Sequence, residues 1–178
     1  MKKTLCLIVL ISLMLTSCGG GEAVTLNDLP AFATPLETAL KGLMSGDGDA
    51  YLNAFPSKMA EDYKQQEVYL YYYSLEDMTA WLGNNLRIYK ESYGSSPFIN
   101  GSVGEIRNVS VESLGDANLD YHTFVRYVTE ENTEEVKSAV FTYTLGGDDG
   151  KESKEATLYF VKQNGKWYLH PCFAFYTF

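Results

Sequence analysis

The spacing of apolar positions along the 178-residue chain changes character twice. An apolar run from Leu5 to Leu15 is interrupted only by Ser12. Between Thr34 and Tyr93 apolar residues recur every three or four positions, the helical period; from Val103 onward the period falls to two. Residues 22–33 read as a linker. Thr34-Pro35-Leu36-Glu37 has the form of a capping box, with Pro at the first helical position, and Leu36, Ala39, Leu40, Leu43 and Met44 share one face behind it. Ser45-Gly46 ends that helix. Asp47 or Asp49 caps a second helix through Tyr51, Leu52 and Phe55. Pro56 interrupts it, and Ser57 restarts a short turn with Met59 and Tyr63 on one side. Ser74 and Asp77 frame the start of a longer helix whose stripe is Leu75, Met78, Trp81, Leu82, Leu86 and Tyr89, closed by Tyr93-Gly94. The Tyr-rich segment Val68–Tyr73 reads as a short strand or as a helix tail, and Ser95–Gly101 as a loop.

The alternating half predicts strands over Gly104–Leu114, Asn118–Thr129, Glu135–Leu145, Ala156–Gln163 and Lys166–Phe178. Gly115-Asp116, Glu131-Asn132, the run Gly146–Gly150 and Asn164-Gly165 separate them. Asn-Gly tolerates the positive φ angles of a two-residue hairpin turn. Connections this short make antiparallel neighbours. Helices followed by a run of strands predict an α+β domain in which a curved antiparallel sheet wraps a long helix.

The amino terminus carries a different message. Lys2 and Lys3, the short apolar run and a small-residue exit describe a secretory signal peptide. The run is too short for a permanent membrane span, which needs about 20 apolar residues. Leu15-Thr16-Ser17-Cys18 resembles the lipobox of bacterial lipoproteins. That resemblance implies cleavage before Cys18, an acyl modification (diacylglycerol, palmitate) on its thiol, and a protein anchored at the extracytoplasmic face of the cell membrane. The implied organisation is a signal peptide over 1–17, a lipidated cysteine with its Gly-rich tether over 18–33, and one domain over 34–178.

Composition then narrows the partners. Loss of both signal lysines moves the formal charge from −9 to −11, which argues against nucleic acid and against an electrostatic hold on anionic lipid. With Cys6 removed and Cys18 acylated, Cys172 is left without an intramolecular disulfide partner. Its neighbours Pro171, Phe173, Ala174 and Phe175 predict a buried, inert thiol.

The helical first half, the phrase from Gly46 to Pro56 and the closing hairpin Asn164-Gly165-Lys166-Trp167-Tyr168-Leu169 resemble the cystatin-like, nuclear transport factor two-like cone fold. The chain resembles in particular the small lipoproteins of that shape found in Gram-positive bacteria. The resemblance implies a cavity between helix and sheet, in which related enzymes place a carboxylate and Tyr donors.

Candidate pocket or rim residues are Asp120, Tyr121, His122, Arg126, Tyr127 and Trp81. On a strand Tyr121, Thr123, Val125 and Tyr127 would form the core side, with His122 and Arg126 outward or at a rim. Asp120 is the acid a cavity enzyme would use. His170, on the last strand, reads as a half-buried hydrogen-bonded histidine. The two histidines have no ligand spacing for zinc, and Asp47-Gly48-Asp49 and Asp148-Asp149-Gly150 lack the oxygen set of a calcium loop; caps and turns explain both, so no metal and no other cofactor is expected. No nucleophile, phosphate or dinucleotide motif is present. The expected activity is non-covalent binding of a small apolar ligand in the cavity or of a protein partner on the sheet. A cavity-based enzyme and a dimerisation or assembly module forming homodimers are the alternatives.

Overall fold

A computed structural model of the chain describes residues 23–65, 74–116, 125–174 and 178. It is an α+β structure in which helices pack on a strongly curled, mostly antiparallel sheet, a half-barrel. The helices are α1 (Thr34–Ser45), α2 (Gly48–Leu52), α3 (Ser57–Lys64), α4 (Leu75–Tyr93) and the short α5 (Glu112–Asp116). The strands are β1 (Val24–Asn27), β2 (Phe98–Val109), β3 (Glu135–Gly146), β4 (Lys151–Gln163) and β5 (Lys166–Leu169), in spatial order β1-β2-β3-β4-β5.

Local chemistry accounts for several element ends. Gly46 closes α1 at φ 69°, a left-handed conformation suited to glycine. Asp47 Oδ1 accepts from Ala50 N at 3.0 Å and starts α2. Ser74 and Asp77 form the full reciprocal capping box of α4. Asn164 and Gly165 turn the last hairpin with φ of 50° and 75°.

The core lies against one face of the sheet. Ala139, Phe141, Tyr143 and Leu145 alternate inward along β3, and Leu158 and Phe160 continue that face on β4. Leu36, Leu40 and Leu43 of α1 and Met78, Leu82 and Tyr89 of α4 are buried with them in one cluster. Towards the β4–β5 hairpin the second face is covered too: the cross-strand row Val136, Val161 and Tyr168 is also buried.

Several expectations change. The stretch read as a linker contains β1, which pairs in parallel with β2 from Val24↔Ile99 to Asn27↔Ser102. Four residues are too few for a period to register, yet Val24 is buried. Thr34 does not cap α1. A 3-10 turn, Ala31–Ala33, leads straight into the helix, Thr34 Oγ1 donates to Ala31 O at 3.1 Å, and Glu37 pairs with Lys41 at 2.7 Å. The expected loop before Gly101 is the start of β2, which ends at Val109. The Gly115-Asp116 turn lies inside α5, started by Ser110 Oγ accepting from Ser113 N.

The strand expected through Thr129 is, from Val125 to Tyr127, a 3-10 turn; its 118–124 part and the Val68–Tyr73 segment lie outside the described residues. β4 starts at Lys151 rather than Ala156, because its first residues are polar and exposed and lack alternation. The final strand stops at Leu169, where His170 and Pro171 begin a 3-10 turn.

Helices α1 and α2 meet closely at Gly42: a Cβ there would sit 2.5 Å from Tyr51 N. We predict that Gly42→Ala lowers stability by about 1–3 kcal/mol by overpacking, despite the higher helix propensity of Ala. Gly83 of α4 has open space around it, so Gly83→Ala should gain up to about 1 kcal/mol. Urea denaturation of both variants is the check, and similar gains would mean that α1 and α2 are not in close contact.

Candidate functional site

Two faces of α3 carry polar groups, one turned into the protein and one lining a cleft. Met59, Asp62 and Tyr63 lie three and four residues apart, so helical geometry turns them together into the protein. Asp62 follows its apolar neighbours inside and its side chain keeps only 3% exposure. Oδ2 accepts from Arg126 Nη2 at 2.6 Å and from Tyr127 Oη at 2.9 Å. Lys58 Nζ lies 2.6 Å from Oδ1, an oxygen that takes no hydrogen bond of regular geometry and is therefore held by charge. Arg126 also donates to Tyr127 Oη, and its guanidinium carbon sits 4.7 Å from the Tyr127 ring centroid. Burial pushes the Tyr127 hydroxyl up to about 12, with Arg126 pulling it down and Asp62 pushing it further up.

The Tyr127 proton is committed to Asp62, and the carboxylate is engaged by three groups. In this arrangement the cluster clamps the 125–133 segment onto α3. Gln163, buried at the end of β4, extends the clamp by donating to Tyr127 O at 2.7 Å and Asn132 Oδ1 at 3.0 Å.

The other face of α3 lines a shallow cleft of about 190 Å³ with β5. Ser57, Ala60, Glu61 and Lys64 come from α3, Asn53 and Phe55 from the turn before it, and Lys166 and Tyr168 from β5. The Ser57 and Tyr168 hydroxyls are 2.9 Å apart, Lys166 Nζ lies 4.9 Å from the Tyr168 ring centroid, and Lys64 pairs with Asp49 at 2.6 Å.

Of the candidate residues, Arg126 and Tyr127 are brought together, Tyr127 buried and Arg126 at the rim. Trp81 packs elsewhere, its ring 6.1 Å from Tyr51. Asp120, Tyr121, His122, Leu15, Thr16, Ser17 and Cys18 lie outside the described residues. The acid beside a buried Tyr is Asp62, overlooked in the pattern; an acid three residues after Met59 and next to Tyr63 on an apolar helix face was the available signal. His170 is fully buried rather than half-buried, with Nδ1 accepting from Cys172 N at 3.3 Å. Burial holds it down at about 4 and raises the Cys172 thiol to about 12, which leaves little reactive thiolate near neutrality.

The space between α4 and β3 that a ligand would need is occupied by the Phe178 ring, 6.1 Å from Phe141 and 5.9 Å from Tyr143. Tyr89 Oη donates to Phe178 O at 3.0 Å, and Tyr51 Oη to Ala174 O at 2.9 Å, so buried tyrosines pin this end of the chain inside.

The described residues form an α+β protein with helices on a curled five-stranded sheet, a clamp of buried Asp62 and Tyr127 with Arg126 at the rim, and a shallow polar cleft. Comparison with protein-family models, curated proteins and solved structures finds no match.

Two expectations follow. Arg126→Ala should cost about 2–3 kcal/mol because it strips a buried carboxylate of a partner, but only about 1 kcal/mol in an Asp62→Asn background; equal costs in the two backgrounds would refute the coupling. The unfolded chain protonates His170 near pH 6.5 and the folded chain only near pH 4. Protons therefore favour the unfolded state as pH falls through that window, a loss on the order of 3 kcal/mol at full extent. The stability gap between the parent and His170→Asn, measured by urea titration, should shift in favour of the variant from pH 7 to pH 4.5. Parallel pH curves would refute this.

Proposed function

We propose that the chain is a lipoprotein anchored through an acylated Cys18 at the extracytoplasmic face of the cell membrane, and that its body recognises a small polar ligand without covalent chemistry. The observation carrying the recognition reading is the α3–β5 cleft, in which Lys64, Lys166, Asn53, Ser57 and Tyr168 supply more hydrogen-bond donors than Glu61, the Asp49 paired with Lys64 and the Ser57–Tyr168 bond can occupy. Its size suits a short acid or one side chain of a larger partner rather than a drug-sized molecule. The filled space between α4 and β3 and the engaged Asp62 favour surface recognition over cavity-based catalysis. Helices preceding a curled antiparallel sheet support assignment to the cystatin-like, nuclear transport factor two-like cone; the parallel β1 is a departure that this assignment has to accommodate.

Two measurements test the proposal. Cys18→Ala should move the protein from the membrane pellet to the soluble fraction, and persistent sedimentation with membranes would refute the anchor. Succinate and inorganic phosphate, titrated against the protein by NMR, should shift the amides of Ser57, Lys64 and Lys166, and Lys166→Glu should weaken that binding about tenfold, equivalent to about 1.4 kcal/mol. An unperturbed cleft with both anions would refute its role.

A further inference from the structure

Resting on the Cys18 anchor proposed above, we infer that the domain lies on the phospholipid surface in one orientation, with the groove between β1 and the end of α1 seated on lipid headgroups. Five residues separate Cys18 from Val24, the first residue of β1. Even fully extended, that connection spans no more than about 20 Å. A folded body of this length is roughly 40 Å across, so the tether is too short for the far side to reach the bilayer. Because β1 is hydrogen-bonded into the sheet through Ile99, Asn100, Gly101 and Ser102, the attachment point cannot peel away to lengthen the tether without losing a strand.

The surface beside that point fits a headgroup layer. A groove of about 270 Å³ opens there, lined by Ala23, Val24, Lys41, Met44 and Ser45. None of these five is acidic, in a chain with 23 acids against 14 Lys and Arg. Met44 and Ala23 offer apolar contact, and Lys41, already paired with Glu37, carries an ammonium on a long stem of the kind that reaches lipid phosphate from an apolar surface. The opposite end of the molecule is distant: along β4 the Asn164-Gly165 turn lies about 36 Å from the row containing Val24, Ile99, Leu145 and Glu152.

The test uses mature lipoprotein carrying Cys172→Ala, reconstituted into phosphatidylcholine–phosphatidylglycerol vesicles with spin-labelled headgroups. A fluorophore is attached at Ser45→Cys or at Lys166→Cys. Several-fold stronger quenching at position 45 than at 166 is the expected result. Equal quenching at both, in protein that sediments with the vesicles, overturns the orientation. Protein that fails to sediment overturns the anchor itself. A label at position 45 that lipid does not quench, but that is shielded from aqueous iodide equally with and without Cys18→Ala, shows the groove filled by the chain's own residues before Val24 and also overturns the inference.

Discussion

The constraint on which the architecture depends is the burial of the row Val136, Val161 and Tyr168 on the second face of the sheet. Helices α1 and α4 cover the first face, so this row needs a separate cover. It comes from three pieces: the 125–133 segment bonded to Gln163, the 3-10 turn at Pro171–Phe173 with Phe173 stacked 6.5 Å from Tyr159, and α3 reached through Ser57 and Tyr168. None is a long regular element: α3 has eight residues and the two 3-10 turns three each. Their positions are set by polar contacts: Asp62 with Arg126 and Tyr127, Gln163 with the Tyr127 carbonyl, and Leu169 N with Ala54 O at 2.8 Å.

This division explains the chemistry of Asp62. A buried ion pair adds little net stability, since desolvation of the carboxylate offsets its attraction to Arg126 and Lys58. An apolar residue in its place would still bury α3, but would not require Tyr127 and Arg126 to arrive in one geometry. The cluster contributes register more than energy. The placement of Arg126 at the rim fits that role, because its guanidinium pairs with the acid while much of it remains hydrated.

The same division separates what was legible in the sequence from what was not. The turn and cap signals at Gly46, Asp47, Ser74 and Asn164-Gly165 act through a few neighbouring atoms, and the structure has them where local chemistry put them. The helical faces of α1, α3 and α4 and the alternation of β3 were equally readable, because one face of each meets a continuous core. Illegible were β1, which is held by its partner Ile99 rather than by its own pattern, and the polar start of β4, which pairs through the backbone ladder and polar side-chain contacts such as Thr144 with Ser153 rather than through an apolar face. Tyr127 illustrates the difference within one residue. Its burial followed from alternation on an expected strand, yet the local structure is a 3-10 turn and the buried hydroxyl is satisfied by Asp62, 65 residues away. Asp62 itself was open to view on the apolar side of a short helix, but an acid there is informative only once its distant partners are known.

The element order also bears on how the proposed anchoring and the proposed recognition would coexist. β1 joins the sheet at one edge and one end, and β5 closes the other edge at the opposite end. Under the proposed anchor, a body tethered just ahead of β1 would present the β4–β5 hairpin and the α3–β5 cleft away from the attachment point. Since α3 also carries the Asp62 clamp on its inner face, a ligand pulling on Ser57 or Lys64 would load the same helix that organises the second cover of the sheet. For the proposed ligand, affinity and the stability of that cover would then be linked through one eight-residue helix, α3 (Ser57–Lys64), and loosening either would be felt in the other.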